Sequence, residues 1–184
     1  NSGTGNVKVN GNVTATNNDV NVTSGSGAIT TIGSISAGND VTVDTKDGIV
    51  ELGGDVTGQH DVTVNSNKGD VTVNGKVQSV TGSTNINAGT NDGISTDANG
   101  NVTVDGEIAS GEEVIVTANY GNIKVIGTTT ASNGNVETTV TGDGNINLNG
   151  SVDASGDVEA TVTGEGDITT GENAEVGGTN IIFT

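Results

Sequence analysis

The sequence predicts an all-β chain, a right-handed parallel β-helix (a solenoid) of about eight coils with roughly 21–23 residues in most coils. Three observations predict it. Glycine recurs at a nearly fixed step, apolar residues fall at even offsets after each of these glycines, and the residues between them are polar. The opening glycines are Gly5, Gly27, Gly48, Gly69, Gly100, Gly121, Gly144 and Gly166, with steps of 22, 21, 21, 31, 21, 23 and 22 residues. A repeat of this length cannot bury its apolar face alone; stacking one unit on the next makes a continuous narrow core.

Each unit supplies three short strands. Two residues after the opening glycine come Val7, Ile29, Val50, Val71, Val102, Ile123, Ile146 and Ile168. Four after it come Val9, Thr31, Leu52, Val73, Val104, Val125, Leu148 and Thr170, which complete the first strand. A second glycine follows in seven of the eight units: Gly11, Gly33, Gly54, Gly75, Gly106, Gly127 and Gly150. It marks the bend into the second strand, where glycine tolerates positive φ and close passage of the next coil. That strand carries Val13, Ile35, Val56, Val77, Ile108, Thr129, Val152 and, in the last unit, Ala174. Small residues follow at the next corner, from Ala15 and Ala37 to Ala131 and Ala154.

The third strand holds Val20/Val22, Val41/Val43, Val62/Val64, Ile86, Val114/Val116, Val136 and Val158. Even offsets place all these side chains on one face of their strands, with Asn, Thr, Asp, Lys and Glu on the other. A helical period of 3.6 is absent, and Gly, Asn, Thr and Val are weak helix formers. The long step includes 89–99, expected as an inserted loop, either a tolerated insertion or a binding loop. The last unit breaks pattern at Gly171 and Glu172, and Asn180–Thr184 reads as a final strand that continues or partly caps the stack. Residues 1–184 are expected to form one repeat segment of a longer chain, with no cap over Asn1–Gly5 and strand edges open to pairing at both ends.

Composition limits the function classes. The 184 residues carry a net charge of −18, 31 glycines, one Phe, one Tyr and no Pro, Cys, Met or Trp, and 30% are hydrophobic. That hydrophobic content would suit disorder, but regular Val and Ile spacing does not. The basic residues are Lys8, Lys46, Lys68, Lys76 and Lys124, with no Arg, which argues against a nucleic-acid partner. No apolar run is long enough for membrane insertion. Without cysteine there is neither a disulfide framework nor a thiolate metal site.

The segments Gly144-Asn-Ile-Asn-Leu-Asn-Gly-Ser-Val-Asp-Ala-Ser-Gly-Asp-Val and Gly69-Asp-Val-Thr-Val-Asn-Gly-Lys-Val resemble the repeats of filamentous haemagglutinin-like adhesins, the exoproteins of two-partner secretion. The resemblance is one of repeat type and extends over essentially the whole chain. It implies a bacterial, extracellular, cell-surface protein whose long right-handed β-helix displays adhesive regions. The amino-terminal secretion domain of that family is not in this sequence.

Candidate sites are few. Asp19, Asp40, Asp61, Glu113, Asn135 and Asp157 form a column just before the third strand. Carboxylates about 5 Å apart repel by about 1 kcal/mol in water, which a solvated edge tolerates. The sharper alternative is a row of weak Ca2+ sites at Asp19, Asp40 and Asp61, which would make Ca2+ a cofactor; the GGxGxD nonapeptide of calcium-binding β-rolls is absent. His60 falls in the corner Gly58-Gln59-His60-Asp61, an exposed corner residue or a catalytic or metal-binding one. Tyr120 reads as a corner packing residue. Thr14/Thr16, Thr139/Thr141 and Thr161/Thr163 fit an ice-binding motif without recurring on every coil. Four sequons place Asn12, Asn21, Asn101 and Asn149 at outward positions as glycosylation candidates.

The functional expectation is a non-enzymatic structural and adhesive segment, a spacer or fibre shaft. Its partners would be a host or neighbouring-cell receptor or glycan, and other coils through its ends. The alternative is a carbohydrate-active β-helix domain, a lyase or hydrolase, which would gather Asp, Glu, Lys and Arg in one groove, whereas here the acids are spread along every coil.

Overall fold

The computed structural model describes residues 1–89 and 100–184. These residues form 24 short strands, with no helix among them. The strands lie in three parallel sheets of eight, and each sheet takes every third strand. The first sheet runs from Val7–Val9 to Ile168–Thr170, the second from Val13–Ala15 to Glu175–Gly177, the third from Val20–Ser24 to Ile181–Phe183. The architecture is therefore a β-solenoid of about eight coils, as the glycine period predicts.

Register follows the sequence offsets. Val71 pairs with Val50 and Val102, Val77 with Val56 and Ile108, and Val64 with Val43 and Ile86. One buried column after another thus runs along the axis, and most strands alternate buried and partly exposed residues. Val71, Val73, Val102, Val104 and Ile123 are all fully buried. Burying each such side chain contributes roughly 1.5–3 kcal/mol. The ends are looser: Val7 and Val9 are half-buried, and Ile181, Ile182 and Phe183 are exposed.

The opening glycines stack directly on one another. A Cβ on Gly27, Gly48, Gly121 or Gly166 would strike the carbonyl group of the opening glycine one coil before, and the second glycines from Gly33 to Gly150 meet each other in the same way. Close backbone passage explains these columns, whereas positive φ occurs only at Gly89 (68°) and Gly144 (153°) among the described residues. Gly89 follows the strand Thr84–Ala88. Apart from Gly89, the expected insertion at 89–99 lies outside the described residues.

Three details depart from the sequence reading. In the last coil Val176, not Ala174, pairs with Val152, because Gly171–Ala174 makes a turn closed by the Ala174 N–H to Gly171 O. The third strand has an additional inward column, Ser24, Thr45, Ser66, Ala88, Ala118, Val140 and Val162. Asn1–Gly5 also joins the stack: Ser2 bridges to Ser24 in parallel, like the end of another third strand.

Candidate functional site

The acidic column is built into the backbone rather than standing clear of it. Asp19 Oδ1 accepts the Asp40 N–H at 3.3 Å, Asp40 Oδ1 accepts the Asp61 N–H at 3.1 Å, and Asp61 Oδ1 accepts the Ser83 N–H at 2.9 Å. Farther along, Asn135 takes the Asp157 N–H and Asp157 takes the Asn180 N–H. Each side chain reaches one coil on and satisfies a backbone donor left over at a corner, an obligation of any chain that turns between strands. Hydrogen bonds to ionised acceptors are the stronger kind, and they offset the repulsion along the column. Among the described residues no group of three or more His, Asp or Glu is placed to hold one metal ion.

The remaining sequence candidates are scattered. His60 is exposed at its corner. The Tyr120 ring lies where a Cβ on Gly142 would be, so it packs against that glycine. Of the sequon asparagines, Asn12, Asn21 and Asn149 are exposed. Asn101 is engaged on both sides: its Nδ2 donates to Asp70 at 3.0 Å, and its Oδ1 accepts the Asn122 N–H at 2.8 Å.

A concave surface lies on the first sheet. A shallow groove of about 520 Å3 is lined by Asp70, Thr72, Asn101, Thr103, Asn122, Lys124, Asn147 and Asn149. Thr72, Thr103, Lys124 and Asn147 are successive members of the outward column. Asp70, Asn101 and Asn122 belong to the corner ladder along one side. The lining is amide and hydroxyl, with one cation and one carboxylate. Asp70 Oδ1 already accepts both the N–H and the Nδ2 of Asn101. Lys124 has no carboxylate partner among the described residues, whereas Lys68 pairs with Asp47 at 2.8 Å and Lys76 with Glu107 at 3.0 Å.

Two carboxyl groups are perturbed. Hydrogen bonding to Lys68 holds Asp47 below the usual carboxylate range. Glu137 is raised, first by partial burial and then by Glu113 and Glu159. Glu159 sits directly opposite Glu137 on the neighbouring strand.

Sequence reasoning missed the corner hydroxyls. Ser24 Oγ donates to Gly5 O at 3.0 Å and accepts the Gly27 N–H at 2.9 Å, and Ser66 Oγ repeats this with Gly48 O and the Gly69 N–H. The available signal was a Ser or Thr three residues before the opening glycine in three consecutive units. Comparison with protein-family models, curated proteins and solved structures finds no match to this chain. Fold and surface together define a parallel β-solenoid with a polar exterior.

Proposed function

We propose that this chain is a structural and adhesive segment of a secreted bacterial surface protein, a spacer or fibre shaft that holds adhesive regions away from the cell. The observation that carries the reading is the uninterrupted stack: three sheets of eight parallel strands in constant register across the described residues. At about 4.8 Å per step such a stack is a rod on the order of 35 Å long. Its exterior of Asn, Thr and Asp suits repeated weak contacts with a surface receptor or glycan, and the strand edges at its ends suit continuation by further coils. The likeness of its repeats to filamentous haemagglutinin-like adhesins supports the extracellular placement.

The groove on the first sheet offers a carbohydrate-active enzyme a concave polar surface. Its single carboxylate is committed to Asn101, and glycoside chemistry takes an acid and a base together, so the scaffold reading is better supported. Small-angle scattering on the protein, with a turnover screen on neutral and acidic glycans, tests the choice. An elongated particle without turnover is expected. Glycan cleavage that is lost on changing Asp70 in the groove, or His60 or Asp61 at their corner, would replace the scaffold reading with the enzymatic one.

A further inference from the structure

The described residues contain four Asn-Gly pairs: Asn10–Gly11, Asn74–Gly75, Asn133–Gly134 and Asn149–Gly150. Glycine has no Cβ to shield its nitrogen, so at each pair the backbone nitrogen can in principle attack the asparagine amide carbon. The fold treats the pairs differently. The Gly75 N–H donates to Leu52 O and the Gly150 N–H to Val125 O, each at 3.0 Å, and the N–H of the preceding asparagine shares the same carbonyl at 2.8 Å in both cases. For either glycine nitrogen to react, it must lose its proton and the peptide plane must turn, which breaks these bonds between coils.

Asn133–Gly134 lies at the corner between the second and third sheets, and there the Gly134 N–H has no acceptor among the described residues. Asn133 is exposed, and among the described residues a single hydrogen bond holds its side chain, from Nδ2 to Gly111 O at 2.9 Å. Asn10–Gly11 is open for a different reason: it sits on the first coil, ahead of the ladder.

We propose that Asn133–Gly134 is a self-modification site within the stack, where the chain deamidates itself with water as the only co-reactant. The Gly134 nitrogen gives its proton to solvent base and bonds to Asn133 Cγ. The Cγ–Nδ2 bond breaks, ammonia leaves, and a five-membered imide closes. Water then adds to one of the two imide carbonyls. Opening at the side-chain carbonyl gives aspartate, and opening at the main-chain carbonyl gives an isoaspartyl link with one extra methylene in the backbone. Either product removes the Nδ2 donor from Gly111 O. It also adds a negative charge where Gly134 packs over the Glu112 backbone and the Glu113 side chain. The corner is thereby loosened and made more acidic. This inference is independent of the adhesive reading.

The test is peptide mapping by mass spectrometry after incubation of the folded protein at mildly alkaline pH in heavy-oxygen water. One net hydrogen bond corresponds to about tenfold in rate, so Asn133 is expected to convert about tenfold faster than Asn74 and Asn149. The product should carry one heavy oxygen. In denaturant the three pairs should react at similar rates, and Asn133→Gln should silence that site while leaving the others unchanged. Conversion of Asn133 no faster than Asn74 in the folded protein would overturn the proposal, and so would a rate gap that persists in denaturant.

Discussion

In the first three coils the corner at the opening glycine is tied by buried hydroxyls: Ser24, Thr45 and Ser66 each donate to the carbonyl of the glycine that opens their own coil. In the later coils the same inward position is Ala88, Ala118, Val140 and Val162, and the corner is tied from outside. Asp70, Asn101, Asn122 and Asn145 each accept the backbone N–H of the residue one coil on, and the amides of Asn101, Asn122 and Asn145 also donate back along the row. The first half cannot use the outer device throughout, because Ala28 and Ile49 stand in that column. The two devices serve neighbouring backbone groups of one corner from opposite sides: the hydroxyls take an opening-glycine carbonyl and, at Ser24 and Ser66, the N–H of the next opening glycine, whereas the outer side chains take the N–H of the residue after it. The two solutions differ in what replaces them when removed: water reaches the outer row and does not reach the inner one.

The largest test asks whether the halves depend on each other. Val104 is fully buried in the fifth coil, and Val104→Asp buries an unpaired charge, expected to cost more than about 4 kcal/mol. In a solenoid each coil leans on its neighbours, so hydrogen exchange should show protection lost around the fifth coil and kept longest near the second. An unchanged melting curve would mean the register is wrong.

Next comes the comparison of ties. Ser66→Ala leaves the Gly69 N–H and Gly48 O without their shared hydroxyl and should cost roughly 1–3 kcal/mol in denaturant titration. Asn122→Ala, whose partners can turn to water, should cost about 0.5–1.5 kcal/mol. Equal losses would erase the distinction between inner and outer ties.

Core defects sharpen the comparison in the opposite direction. Thr31 in the first half and Thr129 in the second are buried, and their hydroxyls have no partner among the described residues. Thr31→Val and Thr129→Val should each stabilise by about 1 kcal/mol. A loss at either position would point to a partner for its hydroxyl.

A smaller effect separates the halves by pH. Glu137 in the second half is raised, so the folded state holds its proton more tightly than the unfolded state. Its unfavourable contribution grows as pH rises from the ordinary glutamate range through the raised value, and it is relieved on acidification. Asp47 in the first half is lowered; its contribution is present above the ordinary aspartate range and lost as pH falls through the lowered value. Glu137→Gln should stabilise at neutral pH by roughly 0.2–1 kcal/mol, the scale of a cross-strand like-charge pair, and the gain should shrink in acid. A gain that does not depend on pH would refute the charge argument.

The smallest expected difference concerns Ca2+. Melting in Ca2+ and in NaCl of matched ionic strength should nearly coincide, because only screening of the net charge is at work. A Ca2+-specific rise that disappears in Asp40→Asn would restore the row at Asp19, Asp40 and Asp61 as a cation site.

The coils were legible in the sequence because a solenoid turns periodicity directly into contacts. Val71 and Val102 are paired by the fold even though the long step separates them, since both sit two residues after an opening glycine. The last coil was misread at Ala174, because fixed offsets cannot register a turn that absorbs two residues. The Asp19–Asp40–Asp61 column was found, but as free charge: sequence spacing gives the position of a carboxylate and not the backbone N–H it meets. The corner hydroxyls went unnoticed because Ser and Thr are common throughout this chain, so an inward serine does not stand out by residue type.

The sequence by itself determined the period, the number of coils, the three strands per coil and nearly all of the core, because each depends on which residues recur at fixed intervals. Only the tertiary structure decided how the corners are held. It set Ser24 and Ser66 between carbonyls and amides of successive coils, set Asn101 and Asn122 in a row outside the same corner, and left the Gly134 N–H without a partner among the described residues while those of Gly75 and Gly150 are bonded. The physical reason is that hydrophobic burial reads only which face a residue takes, whereas a hydrogen bond needs a donor and an acceptor at one distance and angle, and that geometry exists only once one coil lies on another.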